Sequence, residues 1–113
     1  MTGKSFLVES CSVNKELTSI YWHDKEIKAR GHMVCSGGDY RFLVYFLDDK
    51  KNLPDPEFIK VYKLGVVFEP FSKMEDYVKM SEEKAPLYAY LNYEKPELNC
   101  ITINKPVRKL VYF

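Results

Sequence analysis

Five side chains here are of the types that ligate metals or act as soft nucleophiles: Cys11, His23, His32, Cys35 and Cys100. Their spacing assembles no ligand set. Cys-x-x-Cys, His-x-His and His-Glu-x-x-His are all absent, and zinc sites draw on such short spacings. His32 and Cys35 are separated by three positions, which on a strand puts them on opposite faces. A Cys35–His23 dyad would need a hairpin to fold one residue onto the other, and a small apolar cysteine in a strand is the simpler reading. The carboxylate pairs Asp48-Asp49, Glu75-Asp76 and Glu82-Glu83 are adjacent, the pattern of solvated loops and helix faces rather than of an acid and a base flanking a bond. Ser36-Gly37-Gly38-Asp39 has the glycines of a phosphate loop without the Lys-Ser/Thr or the helix start, and between two apolar runs it predicts a hairpin turn. The expectation is a non-enzymatic chain without metal or cofactor.

Rings are the abundant chemistry. The 113 residues include nine Tyr, seven Phe and one Trp. A large ring buries roughly 150–250 Å², so a core of this size cannot absorb them all, and several are expected on the surface. Tyr, Trp, Met and Arg are the residue types enriched where proteins meet. Tyr21, Trp22, Tyr40, Tyr93 and Tyr112, near predicted turns, are the expected exposed rings. A second pattern mixes rings with cations. Lys28, Arg30 and His32 alternate along one predicted strand face; Tyr88 and Tyr90 alternate with Asn92 along another. Single-strand nucleic-acid binders present such platforms, and Lys105, Arg108 and Lys109 follow the last acid, Glu97. The overall charge opposes that reading. Seventeen basic and sixteen acidic residues leave a net charge of +1, a weak attraction for a phosphate backbone.

These patterns predict a small binding protein of inhibitor, immunity or accessory type. It would act on a protein partner through Tyr21, Trp22, Lys28, Arg30, His32, Tyr40, Tyr88, Tyr90 and Tyr93, with self-association through an edge strand included. A small β-barrel that binds single-stranded nucleic acid or a nucleotide is the alternative. The odd cysteine count predicts reduced thiols and a cytoplasmic setting; Cys11 and Cys100 pair only if their strands are neighbours. No apolar run approaches the ~18 residues of a membrane helix, and Glu9 interrupts the first apolar stretch too early for a signal peptide.

The elements that must position these side chains are mostly strands. Lys4–Glu9 and Leu17–His23 read as strands, with a polar turn at Cys11–Lys15 between them and a tight connection at Asp24-Lys25. Ile27, Ala29, Gly31, Met33 and Cys35 form the inward face of a third strand, with Gly31 marking a bulge or a close backbone approach. The continuous apolar run of Tyr40–Leu47 predicts a central strand covered on both faces. Glu57–Glu69 favours strand, with Gly65 as a bulge, over a short helix entered through Asp55 and Pro56. Ser72-Lys73-Met74-Glu75 followed by Tyr77 and Val78 predicts one helix, about residues 73–83. Strands follow at Leu87–Tyr93, Cys100–Ile103 and Lys109–Phe113. The predicted fold is one β-rich α+β domain: an antiparallel sheet or small barrel of about 6–8 strands with the helix packed on it.

Overall fold

The computed structural model describes residues 3–48, 52–82 and 86–102. A small antiparallel sheet runs in the order β1 (Gly3–Leu7), β8 (Tyr88–Asn92), β9 (Cys100–Thr102). The other six strands form the large sheet: β2 (Ser10–Asn14), β3 (Thr18–Trp22), β4 (Lys25–Gly37), β5 (Tyr40–Leu47), β6 (Glu57–Ile59) and β7 (Leu64–Pro70). A 3-10 turn at Phe71–Lys73 leads into the helix α1 (Met74–Glu82). The β-rich α+β class and the packed helix agree with the sequence. The strands number nine among the described residues because one predicted turn is a strand and one predicted strand is two.

The predicted turn is β2. Its residues are polar, and three of its five side chains are exposed, yet its backbone is satisfied by pairing with the second half of β4. β3 pairs with the first half of the same strand, so β2 and β3 share one edge of β4 end to end. The divided strand is Glu57–Glu69. The chain runs as β6, turns through a 3-10 segment at Lys60–Tyr62 with Lys63 left-handed (φ 50°), and returns as β7. β7 therefore lies between β6 and β5, parallel to β5, which makes the sheet mixed. Gly65 is no bulge, because its pairing with Phe42 is in register. A side chain there would collide with Leu91 of the small sheet, so glycine lets the two layers close.

The bulge lies in β4, where the register against β5 steps between Ala29 and Gly31. An extra residue in one strand turns everything before it to the other face. Met33 and Cys35 accordingly pack with Phe42, Val44, Phe46 and Val67 against Phe6, Ala89, Leu91 and Ile101 of the small sheet and Met74 of α1. Ala29 lies on the opposite face with Leu47, Val66 and Phe68, flanked by Ile20, Trp22 and Ile27. The single inward face read from Ile27 to Cys35 is thus split between two clusters. β5 contributes Phe42, Val44 and Phe46 to one and Leu43, Tyr45 and Leu47 to the other, as expected of a central strand.

Beyond the bulge the β3–β4 hairpin curls across the second face. Trp22 meets Phe68 of β7, with ring centroids 5.2 Å apart, and His23 Nε2 bonds Glu57 Oε2 on β6. The two edges of the large sheet approach each other through side chains, and no backbone ladder joins β3 to β6. The sheet is coiled and open, not a closed barrel. The strand expected at Lys109–Phe113 lies outside the described residues.

Candidate functional site

The gap left by this incomplete closure is a cleft of about 470 Å³ between the hairpin tip and the segment leading into β6. Trp22, Ile27, Leu53 and Pro54 supply apolar lining, while Lys25, Glu26, Asp55 and Glu57 bring both charge signs. The tip is a two-residue turn, since Trp22 pairs with Lys25. Its central residues, His23 and Asp24, both have positive φ, 51° and 65°. Such primed turns suit the twist of a hairpin but favour Asn-Gly or Gly-Gly, because a Cβ resists the left-handed region. His and Asp tolerate it better than most residues. The return is geometric: the His23 ring stands edge-on to Trp22 at 5.1 Å and reaches Glu57, which holds the tip down. Tyr21 alternates to the other side of β3 and is 78% exposed.

A second aromatic cluster lies at the opposite end of β4. The turn to β5 carries Gly38 in a left-handed conformation (φ 59°), its N–H donating to Glu9 Oε1 at 2.6 Å. Tyr40, just after it, stacks on Phe6 at 5.9 Å and has Lys4 Nζ and Lys63 Nζ over its ring at 5.7 and 5.5 Å. Its hydroxyl meets that of Tyr93 at 3.5 Å, and Tyr93 packs on Phe58 at 4.5 Å. Burial and then the Tyr40 hydroxyl push the Tyr93 phenol above its ordinary range. Tyr40 is a structural post rather than a vacant platform for stacking.

The remaining predicted residues separate. Arg30, at the bulge, lays its guanidinium over the Phe71 ring at 4.6 Å. His32 packs on Tyr45 at 5.8 Å on the second face. Lys28 points away from Ala29 by strand alternation, so the cationic stripe Lys28–Arg30–His32 does not exist; the bulge breaks it. Tyr88 is half-buried, and Tyr90 is only 2% exposed, with Asn92 donating to its hydroxyl at 3.1 Å. The Tyr88–Tyr90 pair is therefore no open platform. Tyr112 lies outside the described residues. His23 lies in the turn before β4 and Cys35 near the far end of that strand, so they make no dyad, and no group of three or more His, Cys, Asp or Glu converges among the described residues. His32 and Cys35 do face opposite sides of the sheet, as their spacing implies.

Comparison with protein-family models, curated proteins and solved structures finds no match. The reading of the site therefore rests on its geometry. Among the exposed apolar residues that escaped the sequence reading are Val61, 83% exposed, and Tyr62, 61% exposed. Both lie on the turn between β6 and β7. The flanking Lys60 and Lys63 were the available signal, since a strand interior seldom carries charges on both sides of so short an apolar pair. Leu53 and Glu57 of the cleft were also missed, because only the coiling of the sheet brings them to the hairpin tip.

Proposed function

We propose that this chain is a non-enzymatic binding protein that grips a protein partner with the β3–β4 hairpin tip. The observation that carries this reading is the cleft lined by Trp22, Ile27, Leu53 and Pro54 with charges of both signs; Tyr21, on the same hairpin but the opposite face of β3, is 78% exposed. An apolar recess that contains an aromatic ring, here Trp22, and carries a polar rim has the composition of protein-contact hot spots. A rim of mixed sign recognises a polypeptide, which carries both charges, better than a polyanion, which carries one. Inhibitor, immunity or accessory action by occlusion or tethering follows from such a surface without any reacting group. Self-association through an edge strand belongs to the same class of action.

The test is capture from the source cell, with nuclease present, by the native chain and by Tyr21→Ser and Leu53→Ser. Native-like circular dichroism with loss of the captured protein in both variants supports the reading. Equal capture by all three chains overturns it. Retention on single-stranded DNA that falls steeply with salt would replace it with the nucleic-acid alternative.

A further inference from the structure

Cys11 and Cys35 face each other directly across β2 and β4, and their sulfurs are 3.0 Å apart. Facing residues of an antiparallel ladder hold their Cα atoms about 4.5–5.5 Å apart, inside the ~4.4–6.8 Å that a disulfide spans. The sulfurs need approach by only about 1 Å to reach the ~2.05 Å bond. The pair is asymmetric. Cys35 is sealed in the core, whereas Cys11 is exposed. Cys11 also borders a cleft of about 200 Å³ formed with Glu9, Ser10, Ser81 and Leu87. The cleft opens the Cys11 sulfur to a small disulfide from solvent.

We propose that Cys11 and Cys35 form a redox-active dithiol whose oxidising substrate is a small disulfide of the glutathione type, admitted to Cys11 from this cleft. The Cys11 thiolate attacks one substrate sulfur, the substrate S–S bond breaks, and half of the molecule leaves as a thiolate. The other half stays on Cys11 as a mixed disulfide. Cys35 then gives up its proton and attacks Cys11 Sγ; the Cys11–Cys35 bond forms and the second half departs. Two protein thiols are oxidised, one small disulfide is reduced, and both protons end on the released small thiols. The electrostatics assign the same roles. The hydrogen bond with the Cys35 sulfur holds the Cys11 thiol below its ordinary range. The same hydrogen bond, together with burial, pushes the Cys35 thiol up. An exposed attacking thiolate and a proton-bearing resolving partner are the two parts that thiol–disulfide exchange requires. Cys100 stands in the other sheet, with its thiol raised by burial, and serves as an internal control.

The experiment exposes the reduced full chain to oxidised glutathione and follows intact mass and a non-reducing peptide map. The expected product has lost two hydrogens, links the Cys11 peptide to the Cys35 peptide and retains no glutathione. Cys35→Ala should halt at a stable glutathione adduct on Cys11, and Cys11→Ser should leave Cys35 unmodified at the same dose. The map of the native chain decides the matter even if Cys35→Ala unfolds. Both thiols still open to alkylation after prolonged exposure, a link from Cys11 to Cys100, or an adduct on Cys100 alone would overturn the proposal.

Discussion

Two adjacent glycines in the β4–β5 turn serve different ends. Gly38 is there for its backbone: φ is 59° and nothing lies within 4 Å of the position a Cβ would take. Gly37 is there for its missing side chain, because a Cβ would fall on the carbonyl oxygen of Leu7. Gly38→Ala should therefore cost about 1 kcal/mol, the usual price of a left-handed alanine. Gly37→Ala should cost more, about 1–3 kcal/mol, since β1 must move off the turn. Urea denaturation of both variants measures the difference, and equal losses would contradict this division of roles. The thiols differ just as sharply. Cys11 is exposed with its thiol lowered, Cys100 is exposed with its thiol raised, and Cys35 is buried. Alkylation of the native chain at neutral pH should proceed fastest at Cys11, more slowly at Cys100 and last at Cys35, as timed peptide mapping will record.

Among the elements, the β3–β4 hairpin departs furthest from what its composition favours. A two-residue turn with both central residues left-handed is built from His-Asp rather than Asn-Gly, and the strain is held by Trp22 on Phe68 and by His23 on Glu57. Asp24→Gly removes a Cβ from the second left-handed position and leaves the His23 contacts in place. It should raise stability by about 0.5–1 kcal/mol, read as a higher urea midpoint with unchanged slope. A decrease would mean that the Asp24 side chain holds the turn. The helix is the plainer element. Met74 is buried, Tyr77 meets Phe46 edge-on at 5.4 Å, and Val78 packs beside them, which is the apolar stripe its sequence displays.

At the scale of the molecule, stability draws on the buried rings and not on the exposed ones. Burial, followed by the charge and hydroxyl bond of Glu69, pushes the Tyr77 phenol up, and Tyr93 is raised by burial and by Tyr40. The native chain thus keeps phenolic protons that the unfolded chain releases near pH ~10. Stability from these groups is fully present below about pH 10 and is lost as pH rises beyond it. Urea midpoints should hold through neutral pH and fall in alkali, with phenolate absorbance from these rings appearing as the chain unfolds. The exposed set behaves otherwise. Tyr21→Ser, Val61→Ser and Tyr62→Ser should each change stability by less than about 0.5 kcal/mol in thermal melts, because their side chains are 78, 83 and 61% exposed.

Local chemistry was enough to read much of this fold. The unbroken run from Phe42 to Leu47 announced a strand with neighbours on both faces, and the spacing of Met74, Tyr77 and Val78 announced the helix. Of the rings expected at the surface, Tyr21 is exposed, whereas Trp22, Tyr40 and Tyr93 are half-buried against the cores. The strand and the helix depend on residues within one or two turns or strand pitches of each other. The site did not. One extra residue at Arg30 reverses the faces of β4, separates Arg30 from His32 and turns the hairpin tip across the sheet. Only that long-range path brings Trp22 to Phe68 and His23 to Glu57, and only the separate pairing of β2 with the far half of β4 brings Cys11 to Cys35. Periodicity reports which side of its own strand a side chain occupies. Which strand lies opposite is settled by the burial and pairing energy of the whole chain, and no local pattern encodes it.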